Sequence, residues 1–416
     1  MNMAVIAMLG YGVVGSGVAE LILKNRNKFK SRLDEELTIS NILVRSVEKY
    51  KDSKYKELIT NNIEDIFKKK VDIVVEAMGG LNPSYEYIKR ALKMKKHVVT
   101  ANKDLIAEYG HELLELAKEN GVSIHFEASV GGGIPILKSM NECLVGNDIK
   151  SIRAILNGTT NFILSKMNHE NMGYDEALKL AQDLGFAEAN PESDVMGYDA
   201  ARKLSILSTI AYNKRIYWKD MDIEGITNID DRDFRYARTR GCSIKLLGIS
   251  EDTGKDVFAS VRPIIVKENS VLGRIEDEYN AILVEGDAVG DVLFTGKGAG
   301  MFPTASAVFA DIADIIMHKE EESITFNDKK AEINKEWELQ SEWLVRLKTH
   351  NRIEVIESIT ENFTSSYILA SAATFDDDEV VAFIKSENEH NLNKYIENLR
   401  KREYIRSAKK ILISKN

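Results

Sequence analysis

The chain holds only two cysteines in 416 residues. Two thiols cannot build a disulfide framework, and such sparing use fits a reducing cytosol, so a cytoplasmic protein is expected. No run of ~18 apolar residues occurs, so no membrane span is expected. A cationic surplus is also missing: 56 Lys and Arg stand against 65 Asp and Glu, a net charge of −9. A mildly acidic chain is not built to coat nucleic acid or an anionic membrane. Cys and His never cluster at zinc spacing, the seven histidines are scattered as solvent or core residues, and no internal repeat is visible. Met1 to Ile6 enters a strand pattern at once, so no signal peptide is expected. What is present is an ordinary globular balance, 44% apolar and 29% charged. At ~150 residues per domain the length suggests two or three domains.

Strand and helix alternate over residues 3–127. Residues 3–9 form an apolar run ending in Gly10, and apolar residues recur at helical spacing over 14–23. Strands are expected at 37–44, 71–75, 97–100 and 122–126. Helices are expected at 83–94 and 104–120, the latter closed by Gly121. This order predicts a parallel sheet with helices on both faces. Beyond Glu127 the alternation stops, and a Gly-rich loop (Ser129 to Pro135) opens an α+β region. Strand-like runs return over 257–294, and a helix is expected at 304–317. Residues 319–338 are dense in charge and read as a solvated linker. The remainder, with strands expected at 343–348, 380–385 and 408–414 and a further run at 367–373, suggests a small α+β module.

Gly10-Tyr11-Gly12-Val13-Val14-Gly15 lies between the first strand and the first helix. In that context the first glycine makes the turn, the second admits a pyrophosphate, and the third lets helix and strand pack. The helix N-terminus then faces phosphate charge with free N–H groups. At the tip of the second strand stands Arg45, with no acidic residue. An acid there would hold the ribose of NAD, whereas an Arg can hold the 2′-phosphate of NADP. NADP is therefore expected, with acceptance of NAD as the alternative.

A second constellation gathers Glu188, Asp194, Asp199 and Lys203 within sixteen residues. Asp199 and Lys203 are four apart on an expected helix and share a face. An ordinary surface ion pair is the alternative, but the apolar stretch 204–210 argues for a buried helix.

The run from Ala181 to Lys203 resembles the homoserine dehydrogenase signature: Ala181, Gly185, Pro191, Asp194, Gly197, Asp199 and Lys203 stand at its fixed spacing. Further matches are the Gly10 fingerprint, Val75-Glu76-Ala77-Met78-Gly79-Gly80, Thr100-Ala101-Asn102-Lys103, Asn157-Gly158-Thr159-Thr160-Asn161, and Gly298-Ala299-Gly300 with Pro303-Thr304-Ala305. The resemblance covers roughly residues 3–318. It implies reversible NAD(P)H-dependent reduction of L-aspartate 4-semialdehyde to L-homoserine, toward threonine and methionine. It implies Lys203 as proton donor, Lys103 as a second catalytic lysine, and Asp199 beside them. Glu188, Asp194, Gly158 and Thr159 would bind substrate. Gly10, Gly12, Val13, Val14, Gly15, Arg45, Thr100, Lys103 and Gly300 would line the coenzyme. A structural sodium ion is implied at the Glu127 side chain and the carbonyls of Val130, Gly132 and Ile134. The residue types suit this chemistry, because hydride belongs to the coenzyme while the protein positions carbons and stabilises oxygen charge. Flanking carboxylates push a lysine's pKa upward, so residue chemistry alone leaves open which lysine is the acid.

The resemblance implies a Rossmann-type coenzyme domain (1–128 with 298–320) and an α+β substrate and dimerisation domain (129–297). A linker (321–340) leads to an ACT-like module (341–416), and the assembly is a homodimer or homotetramer. Leu347 to Arg352 lacks the Pro-Gly turn that usually cradles an amino-acid effector, which leaves threonine feedback unsupported. The competing readings are a dehydrogenase for another small amino-acid aldehyde and a non-catalytic NAD(P)-binding sensor. The sensor would have shed the acids and lysines that this chain keeps.

Overall fold

The computed structural model describes residues 2–318, 326–327, 329–369 and 378–414. The chain forms two compact units. One comprises Met1–Ile152, Ala201–Asp220 and Asn280–Ala331; the other comprises Arg153–Ala200, Met221–Tyr279 and Glu332–Asn416.

The first unit is built on a six-stranded sheet: β1 (Asn2–Leu9), β2 (Glu35–Leu43), β3 (Ile59–Thr60), β4 (Ile73–Glu76), β5 (His97–Thr100) and β6 (Ile124–His125). The spatial order is β3-β2-β1-β4-β5-β6, and every pairing is parallel. This is the doubly wound order whose ligands gather beyond the carboxyl ends of the strands. β3 escapes the sequence pattern because two residues carry no period. Thr100 therefore ends the fifth strand, not the fourth, and Glu127 follows the sixth in a single 3-10 turn, Glu127–Ser129. Burial on both faces explains the unbroken apolar runs: Ile6, Met8, Ile42 and Val75 are completely buried. Burying each such side chain contributes roughly 1.5–3 kcal/mol. Helix Val13–Lys24 packs on Met301–Met317, placing Val18, Ala19 and Ile22 in one core with Ala305, Val308 and Ile312. At their crossing a Cβ on Gly17 would meet the Met301 carbonyl oxygen at 2.8 Å.

The second unit contains the long antiparallel pair Cys242–Asp252 and Val257–Lys267. Its C-terminal part runs strand Ser341–Thr349, helix Arg352–Asn362, strands Ser366–Ile368 and Glu379–Ser386, helix Glu389–Arg400 and strand Ile405–Ile413. In space the last strand lies beside the first, then the third, then the second. This βαββαβ order is the ferredoxin-like arrangement and agrees with an ACT-like module. Where a Pro-Gly turn is lacking, the Asn351 side chain caps the following helix by accepting from the Glu354 amide. The module joins the long hairpin through Ile264 beside Leu412. Of the expected charged linker, residues 319–325 and 328 lie outside the described residues, as do residues 370–373 of the run expected at 367–373. The remainder of the charged stretch is not fully solvated. Ala331 is buried, and Ile333–Asn334 pairs with Val257 and Phe258.

Candidate active site

The coenzyme end of the first unit is shaped by its glycines. Gly10 adopts φ +103°, and a Cβ there would meet the Ala77 carbonyl oxygen at 2.6 Å. A Cβ on Gly15 would meet the Gly10 carbonyl oxygen at 2.3 Å, so turn, strand and helix close only around hydrogen atoms. Gly12 has open space around it instead. It is the N-cap of helix Val13–Lys24, has no side chain with which to bond the helix amides, and is followed by no acid in the first turn. Val13 is exposed and Val14 half-buried at this helix start. Such an end accepts an anion through amides and dipole. Tyr11 packs edge-on against Tyr50 and Tyr55, and the Tyr55 hydroxyl donates to the Ala19 carbonyl at 2.8 Å. These contacts hold the segment after β2 against the glycine loop. Arg45, on that segment, is exposed. Gly300, also exposed, caps helix Met301–Met317 at φ +115°.

The ends of β4 and β5 are joined by a residue that sequence reasoning passed over. Glu76 is completely buried. One of its oxygens accepts from the Met78 and Gly79 amides and the Ser84 hydroxyl, at 2.8, 3.1 and 3.2 Å. The other accepts the Thr100 hydroxyl at 2.5 Å. That hydroxyl in turn accepts from the Asn102 amide. The Thr100 proton is thus committed to Glu76. The Asn102 side chain donates to the Gly80 carbonyl at 2.6 Å and accepts from the Leu105 amide, capping helix Lys103–Glu119. Lys103, half-buried, is therefore the first residue of a helix whose origin is fixed by four side chains.

In the second unit the acids are organised by Asn157. Its amide donates to Asp194 at 2.7 Å and to Asp199 at 2.9 Å, while its carbonyl oxygen caps helix Gly158–His169 through the Thr160 amide. Asp199 is buried and Asp194 half-buried. One neutral amide thus spaces two carboxylates and still caps a helix. Asn157 and Glu76 both stand inside motifs of the resemblance. What hid their roles is that Thr100 for Glu76, and Asp194 and Asp199 for Asn157, lie 24, 37 and 42 positions away along the chain. The Thr159 hydroxyl donates to the Phe186 carbonyl at 2.6 Å, and the Gly158 position is closed by the Glu278 carbonyl, 2.6 Å from where a Cβ would stand. Glu188 is exposed. Helix Tyr198–Tyr212 carries Asp199 and, one turn on, half-buried Lys203. Its following residues Leu204, Leu207 and Ser208 are fully buried.

Glu127, Val130, Gly132 and Ile134 are all buried. The Glu127 carboxylate accepts from the Leu137 and Lys138 amides at 2.9 and 2.8 Å, and its own N–H donates to Asp311 at 3.0 Å. Burial pushes the Glu127 carboxyl up against the opposing pull of those amides, and burial followed by the Glu127 charge pushes Asp311 well up. Among the described residues no group of three or more His, Cys, Asp or Glu is arranged to hold a metal ion. Nor is any helix among them long and apolar enough to cross a membrane.

Known proteins are similar to this chain over most of its length. Residues 10–127 match the family model described as the NAD-binding domain of homoserine dehydrogenase, and residues 135–313 match the homoserine dehydrogenase model itself. A homoserine dehydrogenase of Bacillus subtilis is 44% identical over 313 residues, 75% of this chain and 72% of that protein. The crystal structure of a homoserine dehydrogenase from Thiobacillus denitrificans is similar with a TM-score of 0.92 at 34% identity, covering 100% of this chain and 99% of that one. A hyperthermophilic archaeal homoserine dehydrogenase in complex with NADPH aligns over 77% of this chain and 99% of its own, with a TM-score of 0.66 at 30% identity.

Proposed function

Since this chain belongs to the homoserine dehydrogenase family, and is thus an NAD(P)H-dependent oxidoreductase interconverting L-aspartate 4-semialdehyde and L-homoserine, we propose that Lys203 gives up the proton and Lys103 assists beside the nicotinamide. The observation that carries the reading is the Asn157 amide joining Asp194 and Asp199 one helical turn before Lys203. The coenzyme supplies hydride, and Gly10, Gly12, Val13, Val14 and Gly15 receive its pyrophosphate. Thr100 and Gly300 line its path. Lys203, with Asp199 four positions earlier on the same helix, serves the carbonyl oxygen, which gains charge as hydride arrives. Glu188 and Asp194 bind the substrate ammonium, and Gly158 and Thr159 form its wall.

NADP is the preferred coenzyme in this reading, held by Arg45. A charge-assisted bond contributes about 1.5–3 kcal/mol, so Arg45→Ala should lower kcat/KM for NADP about 10- to 100-fold and leave NAD nearly unchanged. Homoserine-dependent reduction of NADP and NAD, followed in wild type and Arg45→Ala, tests this. Protein inert with both coenzymes rejects the activity, and equal losses with both coenzymes reject the role of Arg45.

The oxygen donors of Glu127, Val130, Gly132 and Ile134 suit a hard cation, and a sodium ion there would offset the cost of burying the Glu127 carboxylate. An ion bound only by the folded state raises its stability by RT ln(1 + [L]/Kd). The melting temperature should therefore fall when sodium is replaced by choline at constant ionic strength, and an unchanged value removes the site. The functional division proposed is residues 1–128 with 298–320 for coenzyme and 129–297 for substrate and dimerisation. Residues 321–340 serve as linker and 341–416 as an ACT-like module. The assembly proposed is a cytoplasmic homodimer or homotetramer, and a solution mass of 46.8 kDa by light scattering would overturn it.

A further inference from the structure

Two half-buried side chains stand next to the two lysines. Asp104 follows Lys103 in the first turn of helix Lys103–Glu119, and Arg202 precedes Lys203 in helix Tyr198–Tyr212. The Arg202 guanidinium meets the Asp104 carboxylate at 3.3 Å, with the side chains 21% and 32% exposed. The same guanidinium lies over the Trp218 ring, 4.3 Å from its centre. One turn along from Asp104, Glu108 accepts the Tyr217 hydroxyl at 2.8 Å and pairs with Lys219 at 3.3 Å. Lys219 also reaches over the Trp218 ring at 5.3 Å. Two carboxylates one turn apart on the first helix therefore grip the second helix and the turn that follows it.

Neighbouring Cα atoms are ~3.8 Å apart, so a shift of Asp104 or Arg202 passes directly to a lysine. A partly exposed ion pair contributes little to stability. Reaction geometry is far more demanding, since a misplacement of ~1 Å can cost ~10²-fold in rate. We propose that Asp104 and Arg202 are positioning residues that hold Lys103 and Lys203 at their working separation, with Trp218 stacking the guanidinium in place. This rests on the reading that both lysines serve the reaction.

A double-mutant cycle on the full-length enzyme tests it, with Asp104→Asn and Arg202→Met, reading kcat, the KM for NADP and the melting temperature. Each single variant should lose about tenfold or more in kcat, with KM for NADP and melting temperature little changed. The double variant should lose no more than the worse single, because the pair acts as a unit. Arg202→Lys should recover most of the loss, since it keeps the charge over Trp218, and tryptophan emission should shift in Arg202→Met alone of the two Arg202 variants. Singles within about threefold of wild type, or losses that multiply in the double variant, overturn the proposal. Should Arg202→Met fail to fold, Asp104→Asn alone decides by the same threefold limit. Lys103→Ala and Lys203→Ala run alongside separate the two failures. Active lysine variants overturn the two-lysine reading and this inference with it. Inactive lysine variants beside unaffected Asp104 and Arg202 variants overturn this inference alone.

Discussion

Lys203→Ala should lower kcat for homoserine oxidation by ~10²–10⁴-fold, the usual worth of a positioned proton-transfer group. The KM for NADP should change little, because the coenzyme reading rests on the glycine loop and Arg45. The expectation follows from the local build. Helix Tyr198–Tyr212 is anchored by fully buried Leu204 and Leu207, so residue 203 has a fixed place. One turn earlier, Asp199 is buried and accepts from the Asn157 amide at 2.9 Å. Loss in kcat and in kcat/KM by the same factor would mark an interaction made only in the transition state. A variant within about threefold of wild type would move the proton-transfer role elsewhere, with Lys103→Ala the next measurement.

The largest stability effect is expected far from this chemistry, at Arg346. This residue is 5% exposed on the first strand of the C-terminal module. It donates to Asp230 at 2.8 Å and to Asp233 at 2.5 Å, and meets Glu379 at 2.9 Å. Asp233 and Glu379 are buried, Asp233 also pairs with Lys409, and Glu379 accepts the Tyr236 hydroxyl at 2.7 Å. Helix Asp231–Arg238 begins at Asp230 with a reciprocal capping box, so the ion cluster and the helix start share residues. Removing one partner of a buried pair costs roughly 3–5 kcal/mol, because the other charges stay buried. Arg346→Met should lower the denaturant midpoint accordingly, read from the emission of buried Trp343 on the same strand. A midpoint equal to wild type would show that the cluster does not hold the module in place.

The same cluster carries a pH signature. Burial alone would raise the Asp230 carboxyl, but the hydrogen bond and charge of Arg346 outweigh it and hold the group at about 2. A depressed carboxyl stabilises the fold above its unfolded pKa of ~3.9, and that contribution is lost as pH falls. The wild type should therefore lose this increment between about pH 4 and pH 2, and Arg346→Met should lack it.

Much of this molecule is legible in the order of its residues. The Gly10 fingerprint, the parallel series to residue 127 and the helix that carries Asp199 and Lys203 follow from period, turn chemistry and spacing within a few residues. Short elements such as Ile59–Thr60 are not legible, because two residues make a strand only when β2 is already there to bond them. The charge partners are not legible either. Glu76 meets Thr100 across 24 positions, Asn157 meets Asp199 across 42, and Arg346 meets Asp233 across 113. Local sequence governs backbone conformation because its interactions span a turn or a pleat. Which buried carboxylate meets which cation is settled only when the chain returns on itself, since an ion or a polar group leaves water only where a partner from another segment has already arrived.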